Sequence, residues 1–204
     1  LKVVKESSDE LNPPIITTGA RITRTPSKKS LRDYLALALA TWGVGFLPVA
    51  PGTFGSAVGV GIYLLVRLAS ARAFAFAATH GWSFELLESL RMTFMLLLVA
   101  TLAIIGVWAA SRAEKLLGRK DPGAVVVDEV VGQMIAFLFV PFNSGVWTII
   151  VGFFAFRLFD IWKPYPIRRL EALDAGLGIM ADDVLAGAYA AILMSLLTSI
   201  YLSS

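Results

Sequence analysis

The chain has 204 residues, enough for one domain, but 57% of them are apolar and only 16% are charged, with a mean hydropathy of +0.73. That balance excludes an ordinary soluble globule and points to a membrane protein. The formal charge of +3 averages basic loops over a neutral body, so the pI of 9.3 carries no nucleic-acid footprint, and the absence of cysteine removes disulfides, thiolate zinc sites and cysteine-nucleophile chemistry.

Residues 1–33 mix charges with prolines and lack an apolar targeting core, and are expected to form a mobile cytoplasmic amino-terminal arm ahead of a membrane domain over 34–204. Arg21, Arg24, Lys28, Lys29 and Arg32 precede the first apolar run, which places this arm inside by the positive-inside rule. Uncharged stretches run over 34–66, 92–111, 130–156 and 184–204. A bilayer-crossing helix needs about 20 such residues.

The first stretch is broken by Gly43, Gly45, Pro48, Pro51, Gly52 and Gly55, so it splits into a shallow segment, a Pro/Gly loop and a helix over about 53–68. Residues 69–91 read as a connection, followed by the cleanest span, 92–110. Arg112, Lys115, Arg119 and Lys120 mark a second inside loop. Helices over about 126–140 and 146–162, joined by the uncharged turn 141–145, return the chain to Lys163, Arg168 and Arg169. A last helix over about 182–201 leaves again. The expected fold is an all-α polytopic membrane bundle of about five apolar helices, with its polar motifs gathered at the cytoplasmic face.

Those motifs carry the chemistry. Asp128 and Glu129 open one expected helix, Asp160 closes another, and Asp182 with Asp183 opens a third. An Asp near a span costs up to about 2.5–3.5 kcal/mol at its centre, so something must offset these charges. Helix capping explains one acid at each start, but two adjacent acids cannot both be the N-cap. A hard divalent cation with oxygen ligands accounts for the whole set, and Mg²⁺ is the first choice, held by Asp128, Glu129, Asp160, Asp182 and Asp183. One histidine and no cysteine argue against zinc.

Arg157, Asp160 and Lys163 recur at three-residue spacing, which puts Arg157 beside Asp160 and Asp160 beside Lys163 on a helix. Either the three form an ion-pair ladder at the interface, or Asp160 joins the metal while Arg157 and Lys163 bind phosphate oxygens. The loop VAPGTFGS, residues 49–56, supplies Gly52, Thr53 and Ser56 at a helix start where backbone N–H groups can face an anion, although a simple breaker loop has the same composition.

Taken together, APGTFGS at 50–56, VVDEVVGQ at 126–133, FRLFDIWKPYPI at 156–167 and GLGIMADDVLAG at 176–187 resemble the phosphatidylglycerophosphatase A family in content, order and spacing. The resemblance covers about residues 41–190. It implies an integral inner-membrane, Mg²⁺-dependent phosphatase converting the lipid phosphatidylglycerophosphate to phosphatidylglycerol in phospholipid biosynthesis. It also implies catalytic roles for Asp128, Glu129, Asp160 and Asp183. Ala175 stands where the family usually has a glycine, which matters only if the backbone there takes positive φ. Attack by water is preferred to a covalent route through Thr53 or an aspartyl phosphate, since no DxDx[TV] segment is present. Rival readings are another membrane-lipid phosphotransferase, and an ion transporter or channel, which would hold its acids mid-span.

Overall fold

The computed structural model describes residues 29–142 and 144–203; the expected arm lies outside the described residues up to residue 28. Seven α-helices and one short 3₁₀ turn make up the described chain, with no strand among them. Helix α1 (Leu31–Thr41) starts at a capping box: the Ser30 hydroxyl accepts from the Asp33 N–H at 3.3 Å, and the Asp33 carboxylate accepts from the Ser30 N–H at 2.7 Å. The expected arm boundary at 33 therefore falls inside a helix. Leu31, Tyr34 and Leu35 on α1 are exposed, as on a helix lying at a membrane surface. Asp33 pairs with Arg112, far along the chain, at 2.7 Å and so ties this helix to the rest of the bundle.

After the 3₁₀ turn Val44–Phe46 the chain enters α2 (Pro51–Thr79), with Pro51 in its first turn. Helix α2 runs well past the expected end at 68, because the Ala-rich stretch 69–79 favours helix and no breaker intervenes before Gly81. Helix α3 (Phe84–Leu117) starts at Ser83, whose hydroxyl caps the Leu86 N–H, and ends at Gly118 in the left-handed conformation. Helices α4 (Val127–Ala136), α5 (Trp147–Trp162), α6 (Ile167–Leu170) and α7 (Ala175–Ser203) complete the fold.

Among the described residues, only α2, α3 and α7 are long and apolar enough to cross a membrane. Against the about five apolar helices expected, these three are long enough to span and α4 and α5 are shorter. Helix α4 has ten residues, a rise of about 15 Å, half of a hydrocarbon core. It is nevertheless the centre of the bundle, packed most extensively on α7 and α2, and all its residues but Glu129 and Ile135 are buried. Phe137 stacks on Tyr63 at 4.4 Å between centroids, and a turn of chain beyond it is tied down where the Arg67 guanidinium donates to the Ser144 carbonyl and that of Arg91 to the Val140 carbonyl. Large side chains on the outer faces of the long helices, such as Leu97, Ile104, Ile192 and Leu196, stay exposed, as lipid-facing residues do.

A carboxylate cavity at one end of the bundle

The starts of α4 and α7 and the ends of α3, α5 and α6 meet around one cavity of about 540 Å³. Its lining includes Asp128, Glu129, Asp160, Lys163, Asp182 and Asp183. One carboxylate oxygen from each of Asp128, Glu129 and Asp183 lies within 4.8 Å of the others. Asp128 and Asp183 are buried, at 8% and 3% exposure.

None of these acids is a helix cap. The N-cap of α4 is Val126, with no side-chain cap bond, and Asp128 sits one residue inside the helix. Helix α7 begins at Ala175, two turns earlier than expected, so Asp182 and Asp183 lie in its interior rather than at its opening. Its start is fixed by the Gly176 N–H donating to the Ser111 hydroxyl of α3 at 2.9 Å. Capping therefore offsets none of their charge.

The ladder on α5 forms in one half only. Arg157 pairs with Asp160 at 2.5 Å, but the helix ends at Trp162 and Lys163 takes a left-handed backbone, with φ 47° and ψ 62°. That turn swings its ammonium away from Asp160 to Asp182 and Glu171, both at 2.6 Å. Partial burial alone would lower the Lys163 pKa, but the hydrogen bonds and charges of these two carboxylates outweigh it and hold the group above its ordinary value. Two of the five expected metal ligands, Asp160 and Asp182, thus already form ion pairs, while Asp128, Glu129 and Asp183 form none among the described residues.

The 49–56 loop reaches the site through its glycine and its serine, not its threonine. A Cβ on Gly52 would meet Glu129 Oε1 at 2.3 Å, so α2 packs directly against that carboxylate. Ser56 is fully buried; its hydroxyl donates to the Gly52 carbonyl at 3.0 Å and accepts from Arg157 at 3.5 Å. Thr53 is exposed and is not among the cavity-lining residues.

Four further charged residues line the cavity without having been singled out as site residues: Glu114, Lys120, Asp121 and Glu171. Glu114 lies in the basic stretch between Arg112 and Lys120, where no motif or acid pair marks it. Glu171 comes to Lys163 only through the turn around the Tyr165–Pro166 bond, which no helical periodicity reports. In all, eight carboxylates and two lysines line the cavity.

Buried oxygens without partners test whether this site suits a metal. Asp128 Oδ1, Glu129 Oε2 and Asp182 Oδ1 are inaccessible to solvent and accept no hydrogen bond among the described residues. Such atoms are expensive to leave unmatched. An all-oxygen set of three clustered carboxylates fits a hard divalent cation and not a thiophilic one.

The sequence profile described as Phosphatidylglycerophosphatase A matches residues 37–198. Among curated proteins, the chain is 37% identical over 169 residues to a Bacteroides thetaiotaomicron protein named "Putative phosphatidylinositol-3-phosphatase", covering 80% of this chain and 93% of the relative. It is 34% identical to a phosphatidylglycerophosphatase A of Haemophilus influenzae (83% and 92% covered) and 32% identical to one of Escherichia coli (74% and 75%). No solved structure matches the chain. All four sequence blocks that converge on the cavity fall within the matched region, and the chain belongs to the phosphatidylglycerophosphatase A family.

Proposed function

We propose that this chain hydrolyses the terminal phosphate monoester of phosphatidylglycerophosphate to phosphatidylglycerol and phosphate, as a Mg²⁺-dependent enzyme of the bacterial inner membrane with its cavity toward the cytoplasm. The observation that carries this reading is the group Asp128, Glu129 and Asp183, whose oxygens lie within 4.8 Å of one another at the end of a membrane bundle. A dianionic phosphate would be repelled by eight carboxylates, so the cavity needs cations to admit one. Asp128, Glu129 and Asp183 would hold the metal, with Asp160 and Asp182 beside them. When bound, Mg²⁺ supplies positive charge for the phosphate oxygens and acidifies a water molecule.

The remaining steps belong to the protein. Lys163, which lines the cavity and is held by Asp182 and Glu171, neutralises phosphate oxygens, and Arg157, outside the lining and paired with Asp160 and Ser56, adds its charge from behind Asp160. A carboxylate of the cavity accepts the proton of the attacking water as its oxygen adds to phosphorus. The bond from phosphorus to the glycerol oxygen breaks, and that oxygen leaves as a hydroxyl, taking up the proton that the cavity carboxylates accepted from the water. Thr53, exposed and outside the cavity lining, supports no covalent route. Carboxylates gathered at one end of a bundle, rather than along its middle, also speak against an ion path through it.

The test is phosphate release by purified protein in neutral detergent micelles, from phosphatidylglycerophosphate, phosphatidic acid and phosphatidylinositol 3-phosphate, with Mg²⁺ and with excess chelator. Release from phosphatidylglycerophosphate that stops in chelator and returns with Mg²⁺ is expected. No release from that lipid under any metal would sink the reading. The name of the Bacteroides relative motivates the phosphoinositide arm, and faster turnover there would replace the substrate while keeping the chemistry.

A further inference from the structure

A second, smaller cavity of about 430 Å³ opens beside the carboxylate site, lined by Trp162, Tyr165, Arg168 and Arg169 and sharing Lys163 with it. Its two guanidinium groups are exposed, and no carboxylate pairs with either among the described residues. Arg169 stacks over the Tyr165 ring at 4.9 Å and donates to its hydroxyl at 3.3 Å, while Arg168 reaches the Trp162 carbonyl at 3.5 Å. Both retain unused N–H groups. An unpaired arginine couple beside a cavity crowded with acids is a charge pattern in want of an anion.

The surroundings say where that anion lies. Trp162 and Tyr165 are 61% and 72% exposed, and such aromatics concentrate at the head-group level of a bilayer. Trp162 also borders an apolar groove on the outer face of α5, with Leu158 and Ile161 exposed along it. Chain, head group and reacting phosphate would follow one line: groove, arginine couple, Lys163, carboxylate cavity. Phosphatidylglycerophosphate carries a second phosphate, the diester that joins its glycerols, on the acyl side of the one removed.

We propose that Arg168 and Arg169 form the subsite for the inner phosphodiester of the lipid substrate, and so select lipids with a diester between the acyl chains and the terminal phosphate. The proposal rests on the reading of the chain as a phosphatidylglycerophosphate phosphatase. Neither arginine touches the reacting phosphate, so both act in recognition rather than in the chemical step. Guanidinium forks bind phosphate oxygens with two parallel hydrogen bonds, which suits this role better than lysines would.

The experiment compares the wild type with an R168Q/R169Q double variant in neutral detergent micelles. It reads KM and kcat for short-chain phosphatidylglycerophosphate, the inhibition constant of short-chain phosphatidylglycerol, and that of inorganic phosphate. Phosphatidylglycerol keeps the diester and lacks the monoester; inorganic phosphate fits the carboxylate cavity alone. A rise of about 10-fold or more in KM and in the phosphatidylglycerol constant is expected, with kcat and the inorganic phosphate constant within about twofold. An equal rise in the inorganic phosphate constant would place the couple at the reacting phosphate and overturn the proposal. Unchanged constants in neutral micelles, with a loss seen only on anionic vesicles, would make the couple a bulk-membrane contact and overturn it too. Stabilisation of each protein by phosphatidylglycerol, read as a shift in thermal midpoint, needs no turnover. That measurement tests the subsite even if phosphatidylglycerophosphate proves not to be hydrolysed.

Discussion

Gly187 of α7 crosses Gly132 of α4 so closely that a Cβ built on Gly187 would lie 2.4 Å from the Gly132 carbonyl oxygen. Asp183 and Asp128 each stand four residues before their glycine, about one helical turn or 6 Å along the axis. The crossing therefore brings the two carboxylates together, and the geometry of the carboxylate cluster depends on the lack of a side chain one turn away. Gly187→Ala should push the helices apart and lower turnover by at least about 100-fold, with a destabilisation of about 1–3 kcal/mol. Gly61→Ala is the control, because nothing lies within 4 Å of its Cβ, and it should be neutral or slightly stabilising. Phosphate release and thermal unfolding in detergent measure both.

Removing charge without removing size separates ligands from scaffold. Asp128→Asn and Asp183→Asn should each lower turnover by at least about 100-fold while the thermal midpoint holds or rises, since a cluster of buried like charges becomes smaller. The metal concentration for half-maximal activity should climb in whatever activity remains. Asn variants with normal turnover and normal metal response would detach these residues from the proposed metal.

Glu129 is held from behind by α2, where Gly52 leaves no room for a methyl group: its Cβ would come within 2.3 Å of Glu129 Oε1. Because that atom is the end of a flexible side chain, Gly52→Ala should displace the carboxylate rather than unfold the protein. The expected result is a loss of metal affinity and of turnover, by about 10-fold or more, with the thermal midpoint almost unchanged. Metal titration of activity, run beside a melting curve, checks it.

Lys163 has a raised pKa, so its charge contributes stability that is present at all pH values below the ordinary lysine value of 10.5 and is lost as pH rises through the higher folded value. Lys163→Met should lower the thermal midpoint by a constant amount between about pH 7 and 9, and the gap from wild type should narrow only in strongly alkaline solution. A gap that closes near neutral pH would show that the ammonium is not held by Asp182 and Glu171 as the structure has it.

Ala175 sits at φ 53°, in the left-handed region that an L side chain adopts at a cost of about 1 kcal/mol. Ala175→Gly should raise stability by roughly that amount in thermal unfolding and leave turnover within about twofold.

How much of this was legible beforehand follows from what kind of information each feature needs. Hydropathy and charge spacing are local, and they were enough for the all-helical content with its long apolar helices and for singling out the acids at 128, 129, 160, 182 and 183, which line one cavity; the family came from the resemblance of four sequence blocks. The Arg157 and Asp160 pair was also within reach, because three-residue spacing on one helix is itself a contact. The extent of the helices was not. Asp182 and Asp183 read as a helix opening because acids favour first turns, yet α7 starts at Ala175, where packing against Ser111 of α3 sets its beginning. The single uncharged stretch 130–156 gave no hint that α4 would stop at Ala136, since its end is set by Phe137 meeting Tyr63 of α2. Lys163 was assigned to Asp160 by helical spacing and goes to Asp182 and Glu171 because the helix ends one residue earlier. The sequence by itself determined which residues would carry charge into an apolar bundle, because composition and local spacing are properties of the chain alone. Only the tertiary structure decided which of those charges are paired by arginine and lysine and which three carboxylates are left together, because that depends on how closely α4, α7 and α2 approach, through glycines whose partners lie about 50 to 80 residues away in the chain.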